Sequence, residues 1–163
     1  MPVVAIGPPR PGYRALRRGR IAIGGQVYLL SFTTWRRAPL FEGFEPACAA
    51  ARALARACAA MRSRVLAWVL MPDHVHLLLE LHPRETPALA VARIKAAVSR
   101  CLARAHPWRQ RCWAPGFHDH ALRDDEAAVR VARYVVLNPV RAGLVARAGD
   151  YPFWDCVYLD SRG

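Results

Sequence analysis

Residues 64–81 read RVLAWVLMPDHVHLLLEL and decide the fold. Two apolar runs flank the MPD segment at 71–73, and this pattern is typical of two antiparallel strands joined by a tight turn. Successive side chains of a strand point to opposite faces of its sheet. His74 and His76 therefore share one face, and the apolar residues that alternate with them along the strand share the other. The stretch therefore predicts a β-hairpin that carries two imidazoles side by side.

The remaining elements follow from composition and from the residues that start and stop helices. They are a strand within 25–35 (GQVYLLSFTTW), a helix after Pro46, a helix from Thr86-Pro87 to about Ala105, a short strand before Arg123, and a helix from Asp124-Asp125-Glu126 to Asn138-Pro139. Strands alternate with helices, yet the hairpin requires antiparallel pairing. The sequence therefore predicts an α+β fold with helices on one face of an antiparallel sheet.

The charge of the chain indicates a polyanionic partner. The 163 residues carry a formal net charge of +12, and residues 1–64 hold 11 Arg against 2 acidic residues. Nucleic acid is the simplest partner for such a surface. Lys95 is the only lysine; the preference for arginine fits phosphate binding, and it fits the base composition of a genome equally well. We expect one domain over 25–163, preceded by a basic flexible arm over 1–24, where Pro, Gly and Arg recur without a period.

The cysteines and the apolar stretches indicate where the protein works. Its five cysteines include no CxxC pair, which is typical of reduced thiols rather than of a disulfide framework. The first residues lack the pattern of a signal peptide, and no apolar run reaches membrane-spanning length. We therefore expect a cytoplasmic protein without a membrane partner.

Four residues have the chemistry of a metal-assisted nucleophilic site. A His-Val-His pair on a strand can hold one divalent cation from one side. A chain with six histidines contains about 0.2 such pairs by chance, however, so a pair of polar residues on a sheet face is the competing interpretation. Tyr134 and Asn138 are four residues apart and share a helical face. They can supply a hydroxyl nucleophile and an oxygen ligand, or be a core aromatic and a turn-forming residue.

Longer strings of sequence resemble a known family. LMPDHVHLLL at 70–79 and RYVVLNPVRAGLV at 133–145 resemble the single-tyrosine HUH transposases. WAPGFHDHALR at 113–123 and DYPFW at 150–154 resemble the REP-associated tyrosine transposase branch of that superfamily. The resemblance runs in ordered blocks from about Val27 to Trp154.

The resemblance implies a fold, a reaction and a set of site residues. It implies a ferredoxin-like HUH nuclease fold and a metal-dependent cleavage and strand transfer on single-stranded or hairpin DNA, in repeats near the protein's own gene. Tyr134 would attack the scissile phosphate, and the product would be a covalent phosphotyrosine with a free 3′-hydroxyl. His74 and His76 would hold Mg²⁺ or Mn²⁺, with Asn138 as a candidate third ligand. His120 lies in a similar block and is a secondary site candidate.

A second group of residues has the chemistry of a single-strand binding surface. Cationic and aromatic side chains together track a nucleic-acid backbone and stack its bases. Arg and Trp in a loop can equally form a wet edge over core tryptophans. The DNA-binding candidates are Arg36, Arg37, Trp108, Arg109, Arg111 and Trp113.

Two other functions remain open on the sequence alone. One is a domesticated DNA-binding protein that has lost strand transfer, and the other is a water-using, metal-dependent nuclease in which Tyr134 is structural. The sequence leaves open the target DNA, the choice between Mg²⁺ and Mn²⁺, and whether the protein is a monomer or a homodimer.

Overall fold

The protein is described by a computed structural model over residues 24–105, 111–123 and 127–158. Within these ranges one sheet of five strands has the order β4-β1-β3-β2-β5, and its pairings are all antiparallel. The strands are β1 (Val27–Thr33), β2 (Arg64–Met71), β3 (His74–Glu80), β4 (His118–Ala121) and β5 (Trp154–Cys156). The helices are α1 (Phe44–Ala59), α2 (Pro87–Ala105), α3 (Ala128–Val136) and α4 (Asn138–Arg141). The α+β class is confirmed.

The predicted hairpin is the centre of the sheet. β2 and β3 pair directly across a two-residue connection, Pro72-Asp73. β3 lies between β2 and β1, and its five middle residues are buried. The turn places the start of β3 at the end of the sheet where β1 also ends, since Thr33 is the register partner of His74.

Helices cover both faces of the sheet, so the prediction of helices on one face is wrong. α1 and α2 pack on the face that carries Val75, Leu77 and Leu79. α3 packs on the opposite face, where its Ala132 and Val135 join a second apolar cluster with the sheet. The physical reason is that β2 and β3 are apolar on both sides, and a sheet with two apolar faces needs a layer over each of them.

The boundaries of the other elements match most of the predictions. β1 and α2 lie where they were expected, and the Thr86 hydroxyl accepts a hydrogen bond from the Leu89 N–H at 3.1 Å, as a helix-capping residue does. The acidic start predicted at 124–126, and residues 1–23 of the predicted arm, lie outside the described residues. α4 and β5 were not predicted. No helix in the described ranges is long and apolar enough to cross a membrane.

Candidate active site

The two histidines of β3 lie next to each other on the face covered by α3. Their ring centroids are 4.8 Å apart in an edge-to-face arrangement. His76 is buried, and the His74 side chain is 17% exposed. The period of the strand therefore produces the imidazole pair that the sequence predicts.

Different neighbours orient the two rings. His74 Nδ1 lies 2.6 Å from Asp73 Oδ1, and the other oxygen of that carboxylate lies 3.0 Å from Arg37 Nε. His76 Nδ1 lies 2.7 Å from the hydroxyl of Ser31, its register partner on β1. When Nδ1–H donates in each contact, the lone pair of each Nε2 stays available to a metal ion.

Both imidazoles are held in the neutral form that binds metal ions. Burial, followed by unfavourable electrostatic interactions of a protonated His76 with His74, Arg37 and Arg141, lowers the pKa of His76 to about 3. Burial also lowers the pKa of His74, although the carboxylate of Asp73 opposes this effect. Near neutral pH neither ring carries a proton that a cation would have to displace.

Tyr134 reaches this pair from the opposite layer. α3 buries Ala132 and Val135 against the sheet, which leaves Tyr134 half-buried at the edge of the helix. Its ring centroid lies 6.3 Å from that of His76. The guanidinium carbon of Arg141 lies over the Tyr134 ring, 4.3 Å from its centroid. A phenol, two neutral imidazoles and a cation therefore lie close together on this face of the sheet.

Asn138 is close in sequence but is used differently. Its Nδ2 donates to the Tyr134 carbonyl at 2.9 Å and to the Val135 carbonyl at 3.2 Å, so the side chain closes the end of α3. Within the described ranges no hydrogen bond joins it to either histidine, and no cluster of three or more His, Cys, Asp or Glu side chains could hold a metal ion. Its Oδ1 takes no part in those two bonds.

His120, the secondary site candidate, lies on the edge strand away from the pair. It is exposed on the edge strand β4, where its register partner is Leu29. The neighbouring His118 pairs with Ser31, which in turn pairs with His76, so His118 shares a row across the sheet with that ring. Of the two β4 histidines, His118 therefore stands nearer the site in register.

Three of the basic candidates lie just after β1 or beside Trp35. Arg36 and Arg37 follow β1 with φ of 54° and 56°, a conformation that costs energy in residues other than glycine and that recurs at functional sites. The guanidinium carbons of Arg111 and Arg36 lie 4.0 and 5.8 Å from the Trp35 ring centroid. Trp108 and Arg109 lie outside the described residues.

Trp113 is a core residue, so little of its ring is exposed for the DNA contact that the sequence predicts. It is buried, its ring centroid lies 5.2 Å from that of Phe32, and its indole N–H donates to the Lys95 carbonyl at 3.1 Å. The cause is strand-like pairing: Trp113 bridges Thr34 in antiparallel fashion, and the resulting pleat turns its side chain inward.

Sequence reasoning missed four residues that shape the site. Asp73 and Arg141 lie inside the strings that carry the family resemblance, and Arg141 follows Tyr134 by seven residues, about two helical turns. Trp35 directly precedes the predicted Arg36. Ser31 has no sequence signal, because only the pairing register of β1 with β3 brings it to His76.

The chain is similar to a known protein family and to two curated relatives. The sequence model of the family described as "Transposase IS200 like" matches residues 26–137. A candidate REP-associated tyrosine transposase of Haemophilus influenzae is 30% identical over 94 residues, which are 52% of this chain and 53% of that protein. The REP-associated tyrosine transposase of Escherichia coli K12 is 28% identical over 88 residues, or 53% of this chain and 50% of that protein. The chain thus spans about half the length of the curated relatives it matches.

Two solved structures share the fold. A REP-associated tyrosine transposase bound to a REP hairpin has a TM-score of 0.67 at 22% identity, covering 83% of this chain and 79% of that one. A candidate transposase from Deinococcus radiodurans R1 has a TM-score of 0.54 at 23% identity, covering 73% and 95%. At these identities the likeness supports the same arrangement of strands and helices.

Proposed function

Because the chain belongs to the IS200-like transposase family, we propose that it cleaves and rejoins single-stranded or hairpin DNA with Tyr134 as the nucleophile. One observation carries the proposal: the Tyr134 ring, from α3, lies 6.3 Å from the ring of His76, which itself packs edge-to-face with His74. The sheet and its helices thereby unite residues that are 58 positions apart in the sequence. A structural tyrosine needs no such neighbours.

The reaction follows from the chemistry of a phenol and a phosphodiester. Tyr134 Oη gives its proton to water and forms a bond to phosphorus, while the bond from phosphorus to the 3′ oxygen breaks and that oxygen takes up a proton. The product is a phosphotyrosine and a free 3′-hydroxyl. The phosphotyrosine keeps the phosphoester bond, so attack by another 3′-hydroxyl rejoins the strand without a nucleotide cofactor.

The histidine pair fits a divalent cation. His74 and His76 would hold Mg²⁺ or Mn²⁺ through Nε2, with the Asn138 amide oxygen as a candidate third ligand. A cation bound there would withdraw charge from a phosphate oxygen and orient the phosphate for attack. The contacts of His74 with the Asp73 carboxylate and of His76 with the Ser31 hydroxyl support this role, because each can orient a ring through its Nδ1.

The proposed substrate is hairpin DNA from repeats near the protein's own gene. The REP-associated relative of known structure is bound to a REP hairpin, and the charge of +12 on this chain supports a polyanionic partner. Trp35, with Arg111 and Arg36 close to its ring, offers an aromatic and cationic surface for an unpaired strand. We propose that the protein acts on such DNA as a monomer or homodimer in the cytoplasm.

The test is formation of a covalent protein–DNA adduct. The full chain is incubated with end-labelled single-stranded hairpins from repeats flanking its gene, in Mn²⁺ or in EDTA, and resolved on a denaturing protein gel. We expect a metal-dependent labelled band that Tyr134→Phe abolishes. Tyr158→Phe is the matched control, because Tyr158 is an exposed tyrosine at the far end of the described chain.

Two results would overturn the proposal. Cleaved DNA without a labelled protein band identifies a nuclease that uses water. Tight hairpin binding without any cleavage identifies a DNA-binding protein that has lost strand transfer.

A further inference from the structure

We propose that Arg141 is a further catalytic residue, whose guanidinium binds the scissile phosphate beside Tyr134. The inference rests on the proposed function, since it needs Tyr134 to be the nucleophile. Three features of the described residues support it: where Arg141 is held, which charges surround it, and what its donors can reach.

The junction between α3 and α4 holds Arg141 over the tyrosine. Leu137, the one residue between α3 and α4, has a right-handed conformation (φ −82°, ψ −1°). Pro139 is accommodated in the first turn of α4, where no N–H is needed. The Asn138 amide clasps the Tyr134 and Val135 carbonyls. The arginine two turns after Tyr134 therefore lies above its ring, 4.3 Å from the centroid.

The charge of Arg141 is not neutralised within the described residues. Arg37, Arg64, Arg93 and Arg147 each form an ion pair with a carboxylate there, but Arg141 forms none, and it is exposed. The positive charge of Arg141 also reaches His76, because it contributes to the lowered pKa of that side chain. A guanidinium 4.3 Å from the Tyr134 ring centroid, with no carboxylate partner among the described residues, favours an anion such as phosphate beside that ring.

The geometry of a stacked guanidinium leaves it free to bind that phosphate. A guanidinium that lies over a ring contacts it through its own flat face, while its N–H donors point outward in the guanidinium plane. A phosphate in position for attack by Tyr134 Oη must touch the hydroxyl edge of the same ring. Arg141 can therefore bind its oxygens and stabilise the charge that grows on them during the attack.

The test combines each Arg141 substitution with removal of one phosphate charge from the DNA, as in a double-mutant cycle. The scissile linkage is first mapped with the wild-type protein, and binding is then measured by fluorescence anisotropy in the Tyr134→Phe background, which cannot form the adduct. The hairpin carries a natural phosphodiester or a neutral methylphosphonate at that linkage. Arg141→Ala and Arg141→Gln, which keeps the aliphatic stem, are compared with Arg147→Ala, an exposed arginine paired with Asp150.

We expect the two Arg141 variants to weaken binding of natural DNA about tenfold and binding of methylphosphonate DNA by less than roughly twofold. With Tyr134 restored, Arg141→Gln should slow adduct formation at saturating DNA about 100-fold. Arg147→Ala should have little effect on the binding of either DNA and little effect on the rate of adduct formation. Circular dichroism of each variant checks that it is folded.

The outcomes separate this inference from the function on which it rests. If the wild-type protein forms no adduct, the proposed function and this inference both fail. If the adduct forms but Arg141→Gln weakens both DNAs equally, or neither of them, Arg141 is a general contact or a packing partner of Tyr134 and only this inference is overturned.

Discussion

Glu85 is a buried carboxylate whose replacement should cost stability at neutral pH and progressively less as the pH falls toward 2. Its side chain is 3% exposed and joins the turn before β2 to the first turns of α2. Glu85 Oε2 accepts the Ser63 N–H at 2.8 Å and the Ser63 hydroxyl at 2.7 Å, and Oε1 accepts the Arg62 N–H at 3.3 Å and the guanidinium of Arg93. We expect Glu85→Gln to remove the charge that these four donors share.

The magnitude follows from the protonation equilibrium. Burial alone would raise the pKa of Glu85, but the hydrogen bonds from Ser63, Arg62 and Arg93 outweigh burial and lower it from 4.5 to about 2. Because the folded-state pKa is the lower one, the carboxylate stabilises the fold above the unfolded-state pKa, and this contribution is lost as the pH falls through the folded-state value. The contribution is about 3 kcal/mol above pH 5, and roughly half of that remains at pH 3.

Urea unfolding followed by tryptophan fluorescence measures the effect at pH 7, 5, 4 and 3. Glu85→Gln should lower the free energy of unfolding by about 3 kcal/mol at pH 7, and the gap from wild type should shrink to roughly half by pH 3. Glu42→Gln, at an exposed glutamate before α1, should stay near wild type throughout. A gap at pH 7 below about 1 kcal/mol, or one that does not change with pH, would refute the reasoning.

Two further predictions concern the site and its surroundings. Asp73→Asn should weaken Mn²⁺ binding about tenfold, since a ligand histidine loses the anion that orients it; calorimetry with hairpin DNA present measures this, Asp155→Asn is the control, and unchanged affinity would contradict the orienting role. Trp113→Ala should lower the free energy of unfolding by about 3–5 kcal/mol, whereas Trp35→Ala should leave it within about 1 kcal/mol and weaken hairpin binding roughly tenfold. Urea unfolding measures the stability of both variants, and fluorescence anisotropy measures their hairpin binding. A destabilised Trp35→Ala variant beside a stable Trp113→Ala variant would contradict the assignment of Trp113 to the core and Trp35 to DNA binding.

Local alternation made the centre of the fold predictable. A strand has only two faces, so the spacing of His74 and His76 settles their common side as soon as the hairpin is identified. The apolar run Leu77-Leu78-Leu79, which places leucines on both sides of the strand, also carries the information that both faces of β3 are covered. The prediction of helices on one face did not use that second signal.

What the sequence hid depends on pairing and on the path of the chain between elements. Asn138-Pro139 was interpreted as a helix end, but proline is tolerated in a first helical turn, so α4 forms there and brings Arg141 back to Tyr134. Composition does not distinguish Trp35 from Trp113. The bridge between Thr34 and Trp113 decides which of the two rings turns inward.

The charges around the histidine pair bear on how metal and DNA binding are related. The pair supplies two neutral ligands, and Arg37 and Arg141 both place positive charge near it. Asp73, the carboxylate that touches this group, already binds His74 and Arg37. A divalent cation entering the DNA-free site would meet little negative charge, whereas a bound phosphate would supply anionic oxygens to the cation and a partner to Arg141. Metal and DNA should therefore strengthen each other's binding by the same factor, as thermodynamic linkage requires, and a metal titration of the DNA-free protein should underestimate the metal affinity of the DNA-bound protein.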